Sequence, residues 1–220
     1  YKPDRFDRID SGTFWLSNTP NKQSKLDASQ YYRICTWVLL RDKTTRGRIL
    51  FASTHLDLVE SVRQQQMQVV VDFLKPYIDD GVHAIVVGDF NCYETEETIS
   101  LAKSVLCDAA LKAESVSGPW RTYNAWSCVD PSDEPTTEYA LTLPASSRNP
   151  LNGVRRIDYL FVPAAARVEA YVVRNDTQPK KEVYPSDHYP VYADLTLPVR
   201  DLIAKGRFAV RVTADCPSVA

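Results

Sequence analysis

The chain has 220 residues, of which 44% are hydrophobic and 25% are charged, and its formal net charge is −2. This length provides one sizeable core and is short for two domains, and the composition is that of an ordinary globular protein. The balanced charge excludes a strongly basic domain of the kind that many dedicated nucleic-acid binders have, although a local basic groove is compatible with it.

The cysteines and the apolar runs indicate the cellular compartment in which we expect the protein. The five cysteines are scattered, and no Cys or His spacing suggests a zinc site. A disulfide framework is unexpected in a chain of this size, so we predict free thiols and favour an intracellular location. No apolar run has the length of a membrane span. The chain begins at Tyr1, and a targeting segment upstream of it would lie outside the sequence.

The first part of the chain alternates predicted strands with one long helix. Strands rich in β-branched and aromatic residues are predicted at 13–17, 33–40 and 48–54. Residues 42–47 have the character of a hairpin turn. Apolar residues at helical spacing predict a helix over residues 58–78, with Pro76 and Gly81 marking its end.

The second part begins with an apolar run at 83–87, which predicts a strand buried on both faces. A second helix is predicted at 95–106, with Glu96 and Glu97 in its first turn. Residues 115–152 lack a clear period and predict a long irregular excursion over the surface. Further strands are predicted at 154–162, 168–173, 189–197 and 208–212.

Strands before and after helices, with hairpins between them, predict a mixed α/β protein of layered sheets with helices outside. The sequence has no internal repeat and no clear linker. We therefore predict one domain, or part of one, at residues 1–198, followed by a C-terminal extension at residues 199–220.

Polar residues follow the buried strand at 83–87, at a position where sites are commonly built. Asp89 and Asn91 alternate after Gly88, and a period of two would place both on one face. A carboxylate can accept a proton from water, and an amide can donate to a developing anion. A helix cap or an Asx-turn is the structural alternative for this pair.

Two more polar clusters lie later in the chain. Asp187 precedes His188, which offers a metal ligand or an orienting carboxylate beside an imidazole that titrates near neutrality. Asp158 lies inside a predicted core strand, where a carboxylate needs a partner. His188 is one candidate partner, and Arg33 or another buried arginine is the other. A fourth cluster, His55 and Asp57, ends the strand at 48–54, where a single histidine is more often structural.

Four motifs carry a family resemblance: Thr-His-Leu-Asp at 54–57, Gly-Asp-Phe-Asn at 88–91, Arg-Ile-Asp-Tyr at 156–159 and Ser-Asp-His-Tyr-Pro at 186–190. In this order they resemble the endonuclease/exonuclease/phosphatase superfamily over about residues 14–197. The segments 14–17 and 33–37 further resemble a poorly characterised, mostly microbial branch. The resemblance implies a DNase I-like four-layered α/β sandwich, with two packed mixed or antiparallel sheets flanked by helices, whose N-terminal portion would lie upstream of Tyr1.

The resemblance also implies roles for individual residues in the divalent-metal-dependent hydrolysis of a phosphate ester. Asp89 would orient or deprotonate the attacking water, and Asn91 would hold phosphate oxygens of the transition state. His188, oriented by Asp158, would contact the scissile phosphate, and His55 would hydrogen-bond it. Such a site needs a positioned nucleophile and neutralisation of phosphoryl charge.

The resemblance further implies that Asp187 lies at or near Mg²⁺ or Mn²⁺, a hard cation that prefers oxygen ligands, and that Arg33 binds the substrate. The principal metal-binding glutamate of the superfamily would lie upstream of Tyr1. The substrate could be a nucleic acid, an inositol phosphate or a lipid headgroup. A catalytically inactive copy of the fold, acting as a binding or scaffold subunit, is the alternative function.

Two sets of residues bear on the substrate. Three aromatic residues could stack on bases or pack within the domain: Trp120, Tyr123 and Trp126. Four arginines could bind phosphates or keep the surface solvated: Arg121, Arg148, Arg155 and Arg156.

Overall fold

The computed structural model describes residues 1–126, 135–148, 156–175 and 185–198, together with the backbone of residues 208–212. Arg155, the predicted start of a strand at residue 154 and most of the predicted C-terminal extension lie outside the described residues. The boundary between residues 198 and 199 stays a prediction.

The first half of the chain holds most of one sheet and two helices. Its elements in chain order are β1 (Phe6–Trp15), β2 (Ile34–Asp42), β3 (Arg48–His55), α1 (Glu60–Asp79), β4 (His83–Asp89), α2 (Glu97–Lys103) and β5 (Cys107–Asp108). The strands predicted at 33–40, 48–54 and 83–87 and the helix predicted at 58–78 are confirmed, with small shifts of their ends.

The second half supplies the other sheet and three short helices. Its elements are α3 (Ala109–Lys112), β6 (Ser115–Ser117), α4 (Thr137–Leu141), α5 (Ala145–Arg148), β7 (Asp158–Val162), β8 (Arg167–Val173), β9 (Val191–Thr196) and β10 (Phe208–Val212). The predicted strand at 208–212 is confirmed as β10, which pairs antiparallel with β9.

The strands form two sheets. One has six strands in the order β1-β2-β3-β4-β7-β5, and the other has four in the order β10-β9-β8-β6. β3 and β4 are parallel and are joined by α1, whereas β4 and β7 are antiparallel. A parallel pair requires such a crossover connection, and a helix is the usual solution.

Two apolar cores hold these layers together. One lies between the six-stranded sheet and the helices α1 and α2, where Met67, Val70 and Leu74 are buried against Val86 and Phe161. The other lies between the two sheets and includes residues of β4, β7, β8 and β9. The predicted α/β sandwich of two packed sheets with helices outside is therefore confirmed.

Two predictions about the secondary structure were wrong. β1 begins at Phe6, not at residue 13, and among the described residues it is an edge strand that pairs with β2 alone. Residues 8–11 of this strand are exposed, so its first half lacks the apolar alternation that identifies a strand in a sequence. The region 115–152 is not only a surface excursion, since it contains β6, α4 and α5 and buries Trp120 completely.

Gly88 on β4 lies close to the backbone of Thr54 on β3. Its φ is +141°, and a Cβ atom there would lie 1.8 Å from the carbonyl oxygen of Thr54 on the neighbouring strand. Both the backbone conformation and the close approach therefore require glycine. Because the next residue is Asp89, this contact also fixes the position of the Asp89 carboxylate at the end of β4.

We expect Gly88→Ala to lower the free energy of unfolding by about 3 kcal/mol or more, since it adds backbone strain and a steric clash with Thr54. Gly47→Ala is the matched control, because the nearest contact of its Cβ would be 3.4 Å from the Thr45 hydroxyl. Urea denaturation of both variants measures the difference. Equal unfolding midpoints for the two variants would show that the close approach at Gly88 is unimportant.

Candidate active site

The strand register of the six-stranded sheet brings three site residues into one row. His55 at the end of β3 pairs with Asp89 at the end of β4. Asp89 in turn pairs with Asp158 at the start of β7. Residues that are paired across neighbouring strands project from the same face of a sheet. Two carboxylates and an imidazole that are far apart in sequence therefore meet at one edge of the sheet.

Asp89 and Asn91 come together through a turn, not through strand alternation. β4 ends at Asp89, and Asn91 has a left-handed backbone with φ of 50°. The backbone N–H of Asn91 donates to Asp89 Oδ1 at 2.8 Å, which is the Asx-turn alternative. The side chain of Asn91 turns back, and its Nδ2 donates to the carbonyl oxygen of Leu56 at 3.0 Å. The predicted proximity is therefore present, although the reason given for it was wrong.

His55 lies between the carboxylate and the amide. Its Nε2 is 3.2 Å from Asp89 Oδ2 and 3.1 Å from Asn91 Nδ2. One ring nitrogen cannot donate to the carboxylate and accept from the amide at the same time, so the tautomer of His55 decides which bond forms. The side chain is 45% exposed, so the ring can also be reached from solvent.

His188 pairs with Asp158, which settles the choice between the two predicted partners of this carboxylate. His188 Nδ1 lies 2.8 Å from Asp158 Oδ2, and its Nε2 lies 3.9 Å from Asp89 Oδ2. The carboxylate thus orients the ring so that Nε2 faces Asp89. The alternative predicted partner of Asp158 was Arg33 or another buried arginine.

The electrostatics of this pair favour a charged imidazole. Burial by itself lowers the pKa of His188, but the hydrogen bond and charge of Asp158, with the charges of Asp89 and Asp187, raise it from 6.5 to about 8. Burial raises the pKa of Asp158, and its hydrogen bond with His188 opposes that shift. Near neutral pH the pair therefore holds an imidazolium beside a carboxylate.

Thr122 and Asn124, which the sequence reasoning did not single out, hold the loops of the site together. The hydroxyl oxygen of Thr122 accepts hydrogen bonds from the backbone N–H groups of Ile157 and Asp158, both at 3.0 Å. Asn124 donates from Nδ2 to the carbonyl oxygen of Ser186 at 3.0 Å. Both side chains are buried. The only signal in the sequence was a pair of small polar residues within an aromatic-rich segment.

The two remaining predicted site residues, Asp187 and Arg33, lie outside the row. Asp187 directly precedes His188, is partly buried, and its backbone carbonyl accepts from the N–H of Asn124 at 2.8 Å. Arg33 directly precedes β2, and its guanidinium lies 4.7 Å from the centroid of the Tyr31 ring. Continuing the register of β2 and β3 brings Arg33 level with Leu56, one residue beyond His55, so its role in substrate binding stays a prediction.

The spacing predicted that Asp57 shares a face with His55, and this prediction was wrong. The strand ends at His55, and the carboxylate of Asp57 is fully buried. Its Oδ2 accepts from the hydroxyl of Ser29 at 2.6 Å and from the N–H of Tyr31 at 3.2 Å. This carboxylate is structural, because hydrogen bonds within the protein occupy it.

The structure also corrects the set of candidate phosphate-binding arginines. Arg156 is completely buried and donates two hydrogen bonds to Asp108, and Arg148 is paired with Glu94. Neither is available for substrate. Of the aromatic residues, Trp120 is buried, Tyr123 packs edge-on against His188 with ring centroids 5.1 Å apart, and Trp126 is 58% exposed.

The described side chains of the site supply part of the ligand set that a hard cation needs. Among the residues that the structure describes, no group of three or more His, Cys, Asp and Glu side chains is arranged to hold a metal ion. Mg²⁺ is commonly bound through only one or two carboxylates, with phosphate oxygens and water completing its coordination. Asp187 is therefore compatible with a site that the substrate completes.

In the described part of the chain, no helix is long and apolar enough to cross a membrane.

We expect Asp158→Asn to lower the pKa of His188 by about one unit or more, because it removes the opposite charge and leaves the ring buried. An NMR pH titration of the imidazole measures this shift. Asp194→Asn, an exposed carboxylate on β9, is the control. An unchanged pKa in Asp158→Asn would contradict the assigned pairing.

The raised pKa of His188 also determines how the stability of the protein depends on pH. Because folding raises the pKa of His188, its protonated form stabilises the protein fully below pH 6.5, and this contribution disappears as the pH rises through about 8. The free energy of unfolding should therefore fall more steeply across this window in the wild type than in Asp158→Asn.

Comparisons with known proteins identify a family and similar solved structures. The sequence model of the Endonuclease/Exonuclease/phosphatase family matches residues 4–188. No curated protein sequence matches the chain. Among solved structures, a functionally unknown conserved protein from Enterococcus faecalis V583 is 26% identical with a TM-score of 0.72, and the match covers 89% of this chain and 68% of that one.

Two further solved structures extend the comparison. A mannosyl-6-phosphatase of Bacteroides thetaiotaomicron is 29% identical with a TM-score of 0.72, and the match covers 89% of this chain and 68% of that one. The TDP2 of D. rerio in complex with a single-stranded DNA product is 16% identical with a TM-score of 0.59, covers 88% and 69% respectively, and shows the fold alone. With the match over residues 4–188, the chain belongs to the Endonuclease/Exonuclease/phosphatase family.

Proposed function

We propose that this protein hydrolyses a phosphate ester with water activated by Asp89, assisted by Mg²⁺ or Mn²⁺. The observation that carries the proposal is the convergence of Asp89, His55 and His188, with Asp89 Oδ2 lying 3.2 Å from one imidazole and 3.9 Å from the other. Such a cluster of a carboxylate and two ring nitrogens is suited to proton transfer and to binding of an anionic group.

Each side chain has a defined part in the proposed reaction. Asp89 accepts a proton from the attacking water. His188 is held by Asp158, and its raised pKa keeps it charged, so Nε2–H donates to a phosphate oxygen. Asn91 Nδ2 and His55 Nε2 lie 3.1 Å apart and provide further polar groups for the phosphoryl oxygens as negative charge develops.

The charge balance of the site supports the need for a cation. Asp89, Asp158 and Asp187 carry three negative charges when ionised, and the imidazolium of His188 compensates one of them. A phosphate ester would therefore enter a region of net negative charge, which is unfavourable in a partly buried site. A divalent cation at Asp187 would supply the missing positive charge and polarise the phosphoryl group.

The substrate is proposed only as a class. The solved structures with similar folds include a mannosyl-6-phosphatase and a protein in complex with a single-stranded DNA product. Sugar phosphates therefore join nucleic acids, inositol phosphates and lipid headgroups as candidates. A hydrolysis screen of the full chain across these four classes, with Mg²⁺ or Mn²⁺ and with a chelator, separates them.

We expect Asp89→Asn to reduce kcat/KM at least about a hundredfold on any ester that the wild type cleaves, because the general base is lost. Release of phosphate or alcohol in the presence of Mg²⁺ or Mn²⁺ measures this. Asp72→Asn is the matched control, since this carboxylate lies on the exposed surface of α1 and, among the described residues, accepts from Gln68 one turn earlier in the helix.

Two other results would change the proposal. Full activity in Asp89→Asn would remove Asp89 from the reaction. A wild type that binds inorganic phosphate but cleaves no ester in the screen, with or without the metal, would favour the binding or scaffold function.

A further inference from the structure

The row of site residues that contains His55 continues across two more strands of the six-stranded sheet. Cys35 on β2 pairs with Thr54 on β3. The next pair in this antiparallel register joins Ile34, where β2 begins, to His55, where β3 ends. Ile34 in turn pairs with Trp15 at the end of β1. Because paired residues project from the same face of a sheet, Ile34 and Trp15 lie on the face of His55 and at its level.

The burial of the neighbouring residues agrees with this placement. Phe14 directly precedes Trp15, Cys35 directly follows Ile34, and both Phe14 and Cys35 are buried in the core beneath α1. Successive side chains of a strand point to opposite faces of the sheet. Trp15 and Ile34 therefore point away from α1, and Ile34 is 39% exposed although it lies beside the charged site.

A second aromatic ring holds the indole of Trp15 in place. The ring of Tyr32 lies edge-on to it, with ring centroids 5.9 Å apart and ring planes at 83°. This geometry is favourable for two aromatic rings. Lys25 Nζ lies 5.8 Å from the centroid of the Tyr32 ring and donates to the carbonyl oxygen of Ser29 at 2.7 Å. Trp15, Tyr32 and Ile34 thus form an apolar shelf at the β1 side of the site.

The apolar shelf lies within reach of a group attached to a phosphate at the site. Neighbouring strands are roughly 5 Å apart, so Ile34 is one strand spacing and Trp15 two spacings, about 10 Å, from His55. Aromatic side chains bind the flat face of a ring by stacking, whereas a short acyclic group offers them little surface. On the same face, the exposed hydroxyls of Thr13 and Thr36 lie 3.0 Å apart and offer donors and acceptors to the hydroxyls of a polar ring.

The position and chemistry of the apolar shelf suit the part of the substrate that carries the phosphate. We propose that the shelf binds the ring of the alcohol that the phosphate esterifies, and so selects ring-bearing alcohols over acyclic ones. Sugars and nucleosides share this chemistry, because each has a ring with an apolar face. The inference rests on the proposed function and names the class of substrate within it. The shelf contacts the alcohol and not the reacting atoms, so it determines which ester is cleaved.

The first test compares esters that differ in the alcohol alone. A hexose 6-phosphate, a nucleoside 5′-phosphate and glycerol 3-phosphate are all monoesters of primary alcohols, and the third is acyclic. With Mg²⁺ or Mn²⁺, kcat/KM should be higher for at least one ring-bearing ester than for glycerol 3-phosphate, and the better of the two distinguishes sugar from nucleoside. The methyl diesters of the same alcohols repeat the comparison for a phosphodiesterase. Equal kcat/KM for all three alcohols would overturn the inference.

The second test removes the apolar shelf. Trp15→Leu keeps an apolar side chain but loses the flat ring, so it should lower kcat/KM for the ring-bearing ester roughly two- to tenfold and leave the acyclic ester unchanged. Ile34→Ala should have the same effect in weaker form. Ile9→Ala is the matched control, because Ile9 is 46% exposed on the same sheet but lies about 20 Å from Trp15 along β1. The thermal unfolding midpoint shows that each variant is folded. An equal loss on both kinds of ester would contradict the selection.

A binding measurement without turnover distinguishes failure of this inference from failure of the proposed function. In the Asp89→Asn variant with Mg²⁺, the ring-bearing ester should shift the NMR resonance of the Trp15 indole N–H, and inorganic phosphate and glycerol 3-phosphate should not. Binding of the ring-bearing ester without this shift would overturn the role of the apolar shelf and leave the proposed function intact. If the protein neither binds nor cleaves any of these esters, the proposed function fails, and the inference fails with it.

Discussion

The site depends on the register of three neighbouring strands. His55, Asp89 and Asp158 are level with one another across β3, β4 and β7, so a slip of β4 by one residue would turn Asp89 to the opposite face of the sheet. The register is fixed by buried residues along β4 and by the close approach of Gly88 to Thr54. The packing of the core therefore determines the geometry of the polar groups at its edge.

Beyond the strand ends, short polar side chains replace the hydrogen bonds of the sheet. Backbone N–H groups that leave a ladder still need acceptors when they are buried. Asp89 accepts from the N–H of Asn91, Thr122 accepts from that of Asp158, and Asp57 accepts from that of Tyr31. Each of these bonds fixes a loop that carries a site residue. The loops are thereby held close to a single conformation, as a site with defined distances requires.

The sequence predicted the central elements and the main residues of the site, because buried strands and the long helix have clear apolar patterns and the four motifs stand at strand ends. It did not predict β1 from Phe6, since an exposed edge strand needs backbone pairing more than apolar side chains. It also missed Thr122 and the structural role of Asp57. Their partners lie 36 and 28 residues away in the chain, and such contacts depend on the folded arrangement.

The two carboxylates of the buried layer have separate cationic partners. Asp108 accepts two hydrogen bonds of 2.6 and 2.8 Å from Arg156, and the rings of Trp120 and Tyr159 lie beside the guanidinium. A buried pair of this kind adds little net stability, but losing one partner leaves an uncompensated charge. The charge of Asp158 acts instead on the imidazole of His188, where it raises the pKa, and the hydrogen bond to Nδ1 keeps Nε2 directed at Asp89.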